Sequence, residues 1–140
     1  MIEQLNSLGW RIELVVPVPL GQARLKERGY NQAALLAFPI ALAIGGRYST
    51  TAVWRARETQ SQVDLNLNER MKNVAGAFAA ARKEVSGKRV LIIDDVATTG
   101  STISACADAL IRTGAAAVFG LTLARAVSRS KQDIIDPLSI

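Results

Sequence analysis

The chain has 140 residues, of which 49% are hydrophobic and 21% are charged. This length and composition are those of one packed domain and exclude a disordered or fibrous chain. A single cysteine and the absence of histidine exclude a disulfide framework, a zinc finger and any histidine-based catalytic triad. Any chemistry must therefore use carboxylates, hydroxyls, amides, lysine and arginine.

The net charge of +5 and the isoelectric point near 9.9 favour an anionic partner, and both nucleic acid and phosphorylated metabolites fit. Basic residues cluster at four places: Arg24, Lys26 and Arg28; Arg55 and Arg57; Arg70 and Lys72; and Arg82, Lys83, Lys88 and Arg89. The longest apolar run, residues 33–44, is interrupted by Pro39 and is shorter than the ~20 residues that cross a bilayer. The start of the chain lacks the pattern of a secretion signal. We therefore expect a cytoplasmic protein without a membrane segment.

Between residues 12 and 124, short β-rich apolar segments alternate with Ala- and Leu-rich stretches of helical length. This pattern predicts an α/β fold with a mainly parallel sheet flanked by helices. A first strand is predicted at residues 12–16 and ends at the prolines that follow, because proline cannot donate a ladder hydrogen bond. A loop then begins near Leu20. Asn31 is a good N-cap for a helix that ends at Gly45, and because nearly all its faces are apolar we expect this helix to be buried.

Further elements are predicted along the rest of the chain. They are an extended segment at 51–55, a charged loop at 57–72, an edge strand at 75–80, a central strand at 90–93, a helix at 103–111 closed by Thr113-Gly114, and a last strand at 117–124. The central strand has no polar alternation, as expected when both faces are covered. The charged loop is long for a compact domain, which is typical of a functional lid, a solvated connection being the alternative. Cys106 falls on the apolar face of its helix and is predicted to be a core residue.

The segment VLIIDDVATTGST, residues 90–102, carries the chemistry. It places Asp94 and Asp95 at the end of a buried strand and then turns at Gly100 into a helix. Such a turn presents unpaired backbone N–H groups and the positive end of a helix dipole, which together bind phosphate. Four hydroxyl side chains flank the glycine and can donate to the same anion: Thr98, Thr99, Ser101 and Thr102. Because acids at this edge of a parallel sheet accept hydrogen bonds from ribose hydroxyls, the segment predicts a site for a ribose 5-phosphate.

Two other interpretations of this region are disfavoured. Receiver domains also have an acidic pair after an aliphatic strand, but only 45 residues follow Asp95, too few for that fold. A Walker A phosphate loop requires Ser or Thr after Gly-Lys and a glycine five positions earlier, whereas Arg89 follows Gly87-Lys88 and Arg82 precedes them. Asp-Asp or Thr-Thr-Gly alone would be ordinary turn chemistry, so the prediction depends on the whole order of the segment.

The segment resembles the phosphoribosyl pyrophosphate (PRPP) binding motif of type I phosphoribosyltransferases. The wider chain, over about residues 12–125, resembles the ComF (competence protein, GntX-like) branch of that family. The matching residues are Pro17-Val18-Pro19, Arg24, Glu27-Arg28-Gly29-Tyr30-Asn31-Gln32, Thr59, Gln62, Leu65, Arg70, Asn73 and Phe78. Members of this branch often carry a cysteine-rich zinc-binding segment ahead of the domain. No such segment is expected here, where residues 1–140 are expected to form one domain, as a short member or a fragment.

The resemblance implies the type I phosphoribosyltransferase fold and the binding of PRPP with magnesium. It implies that the substrate carries the magnesium ion near the two acids, with no direct protein ligand. The pyrophosphate loop corresponds by position to residues 19–28, and the lid corresponds to residues 57–72. The implied catalytic set is Asp94, Asp95, Arg24, Arg28 and Arg70. The implied substrate-binding set is Val96, Ala97, Thr98, Thr99, Gly100, Ser101, Thr102, Gln62 and Asn73.

The implied reaction is displacement of pyrophosphate from the ribose by a nitrogen nucleophile, which needs little protein acid–base chemistry. Thr98 stands where the 6-oxopurine branch usually has an acid, which disfavours hypoxanthine and guanine as acceptors. The alternative is a non-catalytic PRPP-binding regulatory or interaction protein that acts in DNA uptake. The resemblance points to a homodimer, and the basic charge leaves nucleic-acid binding open without a recognition signature.

Overall fold

A computed structural model of the protein describes residues 11–56, 76–97 and 101–125, with the backbone alone at 96, 97, 101 and 123–125. The strands are β1 (Leu14–Pro17), β2 (Arg47–Tyr48), β3 (Val53–Arg55), β4 (Phe78–Ala80), β5 (Arg89–Ala97) and β6 (Ala117–Arg125). The helices are α1 (Gln22–Arg28), α2 (Gln32–Ile44), α3 (Arg82–Val85) and α4 (Ser101–Arg112). No helix in these described parts is both long and apolar enough to cross a membrane.

The main sheet has the strand order β2-β1-β5-β6, and every neighbouring pair in it is parallel. β3 and β4 form a separate antiparallel ribbon. The predicted central strand is confirmed: β5 lies between β1 and β6, with Leu91 opposite Val15 on one side and Phe119 on the other. The predicted α/β fold with a mainly parallel sheet flanked by helices is therefore also confirmed.

Helices cover both faces of the sheet. Alternate residues of a strand point to opposite sides, so β5 contributes side chains to two separate clusters. Leu91 and Ile93 belong to a cluster with Val15 and the buried face of α2. Val90 and Ile92 belong to the opposite cluster, which also contains Cys106 of α4 and the ribbon residues Val53 and Phe78. Cys106 is fully buried, as predicted. Gly120 of β6 allows α4 to pack closely, since a Cβ there would lie 2.9 Å from Ile103 Cγ2.

The long helix α2 begins and ends where predicted, but it is not buried on all sides. Asn31 caps it by accepting a hydrogen bond from the Ala33 N–H at 3.0 Å, and Gly45 ends it with a left-handed φ of 73°. Three apolar side chains are half or more exposed: Leu35, Phe38 and Leu42. A single helix on a sheet buries one stripe of residues, so the prediction of a buried helix is wrong for the opposite stripe.

Residues 22–28 form a helix where a loop was predicted. Its sequence, QARLKER, consists largely of strong helix formers, and Gly29 ends it with a φ of 78°. All of its residues are exposed, so no apolar stripe marks the helix in the sequence. The predicted pyrophosphate loop at 19–28 is corrected to a short connection followed by this exposed helix. The short elements β2 and α3 were also not predicted.

Candidate active site

The acid pair lies within strand β5 and not at its end. Pairing with β6 continues through Asp94, which is opposite Thr122, and on to the last residues of both strands. The sequence placed the end of the strand at Ile93 because the aliphatic run stops there. The ladder continues because backbone pairing does not depend on apolar side chains. The sheet therefore holds the backbone of the first acid, and the connection to α4 shortens to residues 98–100.

Asp94 and Asp95 form one electrostatic unit. The Asp95 N–H donates a hydrogen bond to Asp94 Oδ1 at 2.9 Å, and both side chains are partly buried. Burial, together with the hydrogen bond and the negative charge of the Asp95 carboxyl, raises the pKa of Asp94 to about 7, against the lowering effects of the Asp95 N–H and of Arg55. Near neutral pH the Asp94 carboxyl can therefore change between acceptor and donor.

The segment that follows β1 lies beside the acids. The Val18 N–H donates to the Ile93 carbonyl at 2.8 Å, and Ile93 directly precedes Asp94. The Val18 carbonyl accepts a hydrogen bond from Asn31 Nδ2 at 3.1 Å. This segment leads into α1, so the sheet places the start of the predicted pyrophosphate-binding region next to the predicted ribose-binding acids.

Arg55 at the end of β3 is a residue that the sequence assigned only to a basic cluster. Its Nε donates to the Pro19 carbonyl at 2.9 Å, and its guanidinium carbon lies 5.0 Å from the centroid of the Phe78 ring. Its positive charge lowers the pKa of Asp94. The same charge acts on Cys106, although burial dominates there and raises the pKa of that thiol to about 12. Membership of that basic cluster was the only signal for Arg55 in the sequence, because the residues that Arg55 interacts with lie far from it in the chain.

The other predicted site residues are placed as follows. Arg24 and Arg28 lie on the exposed helix α1. Val96 and Ala97 continue β5, and Ser101 and Thr102 begin α4. Thr98, Thr99, Gly100, Gln62, Arg70 and Asn73, together with the predicted lid at 57–72, lie outside the described residues. The structure thus places the segment after β1 beside the acids, and the role of each residue stays a prediction.

The donor set at the acids suits a magnesium ion carried by a diphosphate. Within the described ranges, no group of three or more Asp, Glu, His or Cys side chains is placed to hold a metal. Magnesium prefers oxygen ligands and is commonly bound by one or two carboxylates together with substrate phosphates and water. The carboxyl groups of Asp94 and Asp95 supply oxygens of the kind that magnesium prefers, and they would lie near an ion whose direct ligands are phosphate oxygens and water.

The fold is that of the phosphoribosyl transferase domain. The family model for the phosphoribosyl transferase domain matches residues 35–138, and the chain belongs to this family. The adenine phosphoribosyltransferase from Thermoanaerobacter pseudethanolicus has a similar fold, with a TM-score of 0.55 and 20% identity over 89% of this chain and 65% of that one. This similarity confirms the predicted type I phosphoribosyltransferase fold.

Relatives of known sequence are named for DNA use and competence. The DNA utilization protein YhgH of Escherichia coli (strain K12) is 41% identical over 104 residues, which are 74% of this chain and 45% of that protein. Competence protein F of Haemophilus influenzae is 35% identical over 116 residues, 81% of this chain and 51% of that protein. The resemblance to the ComF branch is thereby confirmed. The chain spans about half the length of these relatives.

Proposed function

We propose that the chain is a phosphoribosyltransferase that binds PRPP with magnesium and transfers its 5-phosphoribosyl group to a nitrogen nucleophile. The observation that carries this proposal is the placement of Asp94 and Asp95 near the carboxyl end of the central parallel strand, which leads through a short connection into α4. Ligands of open α/β sheets bind at this edge. Membership of the phosphoribosyl transferase domain family supports the same substrate class.

The carboxyl groups of Asp94 and Asp95 would accept hydrogen bonds from the ribose hydroxyls. The connection at 98–100 and the first residues of α4, Ser101 and Thr102, would hold the 5-phosphate through backbone N–H and hydroxyl groups. Arg24 and Arg28 would neutralise the pyrophosphate, because contacts between guanidinium and phosphate are strong charge-assisted hydrogen bonds. Because α1 is exposed, neither arginine is packed in the core.

The remaining predicted site residues enter the proposal on the basis of the sequence alone. Gln62 and Arg70 belong to the segment, residues 57–72, predicted to close over the reacting centre and exclude water, which would otherwise hydrolyse the reactive ribosyl group. Asn73, a predicted substrate-binding residue, directly follows this segment. Val96 and Ala97 would approach the substrate from the end of β5.

The reaction breaks the bond between the anomeric carbon and pyrophosphate oxygen, and forms a bond from that carbon to the acceptor nitrogen. The pyrophosphate leaves with the electron pair, and the acceptor nitrogen loses a proton to solvent. A magnesium ion bound with the diphosphate would stabilise the negative charge of the leaving group. The Asp94 and Asp95 carboxylates would fix the ribose and face the positive charge that develops on its ring, so positioning and electrostatics supply most of the catalysis.

Calorimetric titration of PRPP, with and without magnesium, tests the substrate. We expect magnesium-dependent binding that is lost in the double variant Asp94→Asn, Asp95→Asn, which should keep the fold because both side chains are only partly buried. Asp108→Asn is the matched control, since Asp108 is an exposed acid on α4. Unchanged PRPP affinity in the double variant would contradict the ribose assignment. Binding that passes this test justifies a screen of nitrogen nucleophiles for pyrophosphate release.

A second candidate function is supported by the relatives' names, DNA utilization protein and competence protein F. In this alternative the chain binds PRPP without turnover and acts in DNA uptake through a protein or nucleic-acid partner. A test is DNA binding at two salt concentrations, because phosphate contacts make affinity strongly salt-dependent. Salt-dependent DNA binding that survives loss of both acids would favour this alternative, and pyrophosphate release that needs both acids would favour the enzyme. A homodimer stays a prediction for sedimentation analysis.

A further inference from the structure

The connection between β1 and α1, residues 18–21, accepts or donates three hydrogen bonds to different parts of the structure. Its Val18 N–H donates to the Ile93 carbonyl at 2.8 Å, and its Val18 carbonyl accepts from Asn31 at 3.1 Å. The next carbonyl, that of Pro19, accepts from Arg55 Nε at 2.9 Å. Two of these three hydrogen bonds come from side chains, one at the start of α2 and one at the end of β3.

Arg55 is itself held in place by the ribbon. It is the last residue of β3 and lies opposite Phe78 of β4, whose ring its guanidinium covers at 5.0 Å. The Ala56 N–H donates to the Ala77 carbonyl at 2.6 Å, so the backbone remains paired just beyond Arg55. A planar guanidinium on an aromatic face loses few further degrees of freedom when it donates a hydrogen bond.

The same side chain also acts on the acid pair. The electrostatic attraction between Arg55 and Asp94 means that one guanidinium interacts with the segment before α1 and with the first acid of β5. Arg55 therefore joins the two parts of the site that the proposed function assigns to pyrophosphate and to ribose. In the sequence these parts are separated from Arg55 by 36 residues on one side and by 39 on the other, from position 55 to position 94.

We infer that Arg55 is a positioning residue, which holds the Val18–Pro19 segment beside Asp94 so that PRPP can bridge them. The inference rests on the proposed function for the identity of the ligand. It does not make Arg55 a contact of the substrate: the guanidinium acts through the Pro19 carbonyl and through Asp94. Loss of Arg55 should therefore release the segment before α1 even when no ligand is present.

Hydrogen exchange of the ligand-free protein tests the holding role. In Arg55→Gln, we expect the amides from Val18 to Leu25 to exchange about tenfold faster than in the wild type, since a hydrogen bond from a charged donor is lost. Arg112→Gln is the matched control, because Arg112 Nε also donates to a backbone carbonyl, that of Asp108, on the exposed surface of α4. Wild-type exchange in Arg55→Gln would overturn the inference.

Arg55→Lys separates the hydrogen bond from the charge. Lysine has a methylene group at the position of the arginine Nε, and its charged Nζ stands at the position of the arginine Cζ. Because the Nε hydrogen bond is lost, we expect fast exchange at residues 18–25 in this variant also. Because the charge facing Asp94 is kept, its affinity for ribose 5-phosphate should lie closer to the wild type than that of Arg55→Gln. Equal affinity of the two variants would contradict an action through Asp94.

Titration with ribose 5-phosphate and with PRPP distinguishes positioning from direct contact. A positioning residue predicts that Arg55→Gln weakens both ligands about tenfold, with a Tm equal to that of Arg112→Gln. Loss of PRPP affinity with unchanged ribose 5-phosphate affinity would make Arg55 a pyrophosphate contact and overturn the inference. A lowered Tm with unchanged affinities would reduce it to a fold-supporting residue. If the wild type binds neither ligand, the proposed function fails, and the exchange measurement still decides whether Arg55 holds the segment.

Discussion

Opposing influences act on the carboxyl group of Asp94. Burial and the neighbouring Asp95 disfavour its ionised form, whereas the Asp95 N–H and the Arg55 guanidinium favour it. The first two prevail, and the pKa stands near 7. Asp94 continues the strand face of Val90 and Ile92, which packs against α4 and the ribbon. A ligand that presents hydroxyl groups or positive charge would favour the ionised form.

Stability should fall as pH rises, because the folded chain binds the Asp94 proton more tightly than the unfolded chain does. The stabilisation is complete below the ordinary pKa of 3.8 and is lost as pH rises through about 7. Asp94→Asn cannot ionise and should escape this loss. We expect its Tm to exceed that of the wild type by roughly 3 °C or more at pH 8.5, with a smaller difference at pH 5. Parallel pH profiles of the two proteins would contradict the assignment, and Asp108→Asn serves as the control.

At the scale of elements, the start of α2 serves two functions through one side chain. Asn31 Oδ1 accepts from the Ala33 N–H and so caps the helix, while Nδ2 donates to the Val18 carbonyl and so connects the helix to the segment after β1. Asparagine can do both because its amide has an acceptor and a donor. Along the chain, the exposed helix α1 lies between Val18 and Asn31, and Gly29 ends this helix.

Replacing Asn31 should separate these functions. Asn31→Ala removes both hydrogen bonds and should lower the free energy of unfolding by about 2 kcal/mol, roughly 1 for the cap and 1 for the connection. Asn31→Ser keeps a capping oxygen but is too short to reach Val18, so we expect about half that loss. Urea unfolding of the three proteins measures the difference. Equal stability of the serine and alanine variants would mean that the cap contributes nothing.

At the scale of the whole molecule, the core lies on both faces of one parallel sheet. The β5 residues from Val90 to Ile93 are fully buried between two apolar clusters. The single cysteine, Cys106, lies in one of these clusters without exposure to solvent. Burial raises the pKa of its thiol to about 12, so the reactive thiolate is scarce at ordinary pH.

Thiol labelling should therefore report unfolding of the whole domain. In the native protein at pH 8, we expect an alkylating reagent to modify Cys106 at least about a thousandfold more slowly than in concentrated urea, because labelling requires opening of the core. Mass spectrometry over time measures both rates. A native rate close to the rate in urea would contradict the burial of this side chain. The Asn31 variants should be labelled faster, by about tenfold for each ~1.4 kcal/mol of stability that they lose.

Much of the fold could be predicted because it is encoded in local patterns. The aliphatic run before Asp94 predicted the central strand, and the Asn31 cap with Gly45 predicted the bounds of α2. Helix α1 was missed because a helix without a buried face leaves no apolar periodicity. The exposed side of α2 was missed because its sequence is apolar on all sides. Such a sequence does not indicate which sides of the helix pack against the sheet.

The parallel α/β sheet, the acid pair and its short connection to a helix could be predicted from the amino-acid sequence, since periodicity and turn residues are properties of neighbouring positions. The distant groups that meet the acid pair are known only from the folded chain. Arg55 reaches the Pro19 carbonyl, and Asn31 reaches the Val18 carbonyl, because β1 and β5 are paired in the sheet and the β3–β4 ribbon packs beside them. Such hydrogen bonds depend on the three-dimensional arrangement of segments far apart in the chain, which no local pattern records.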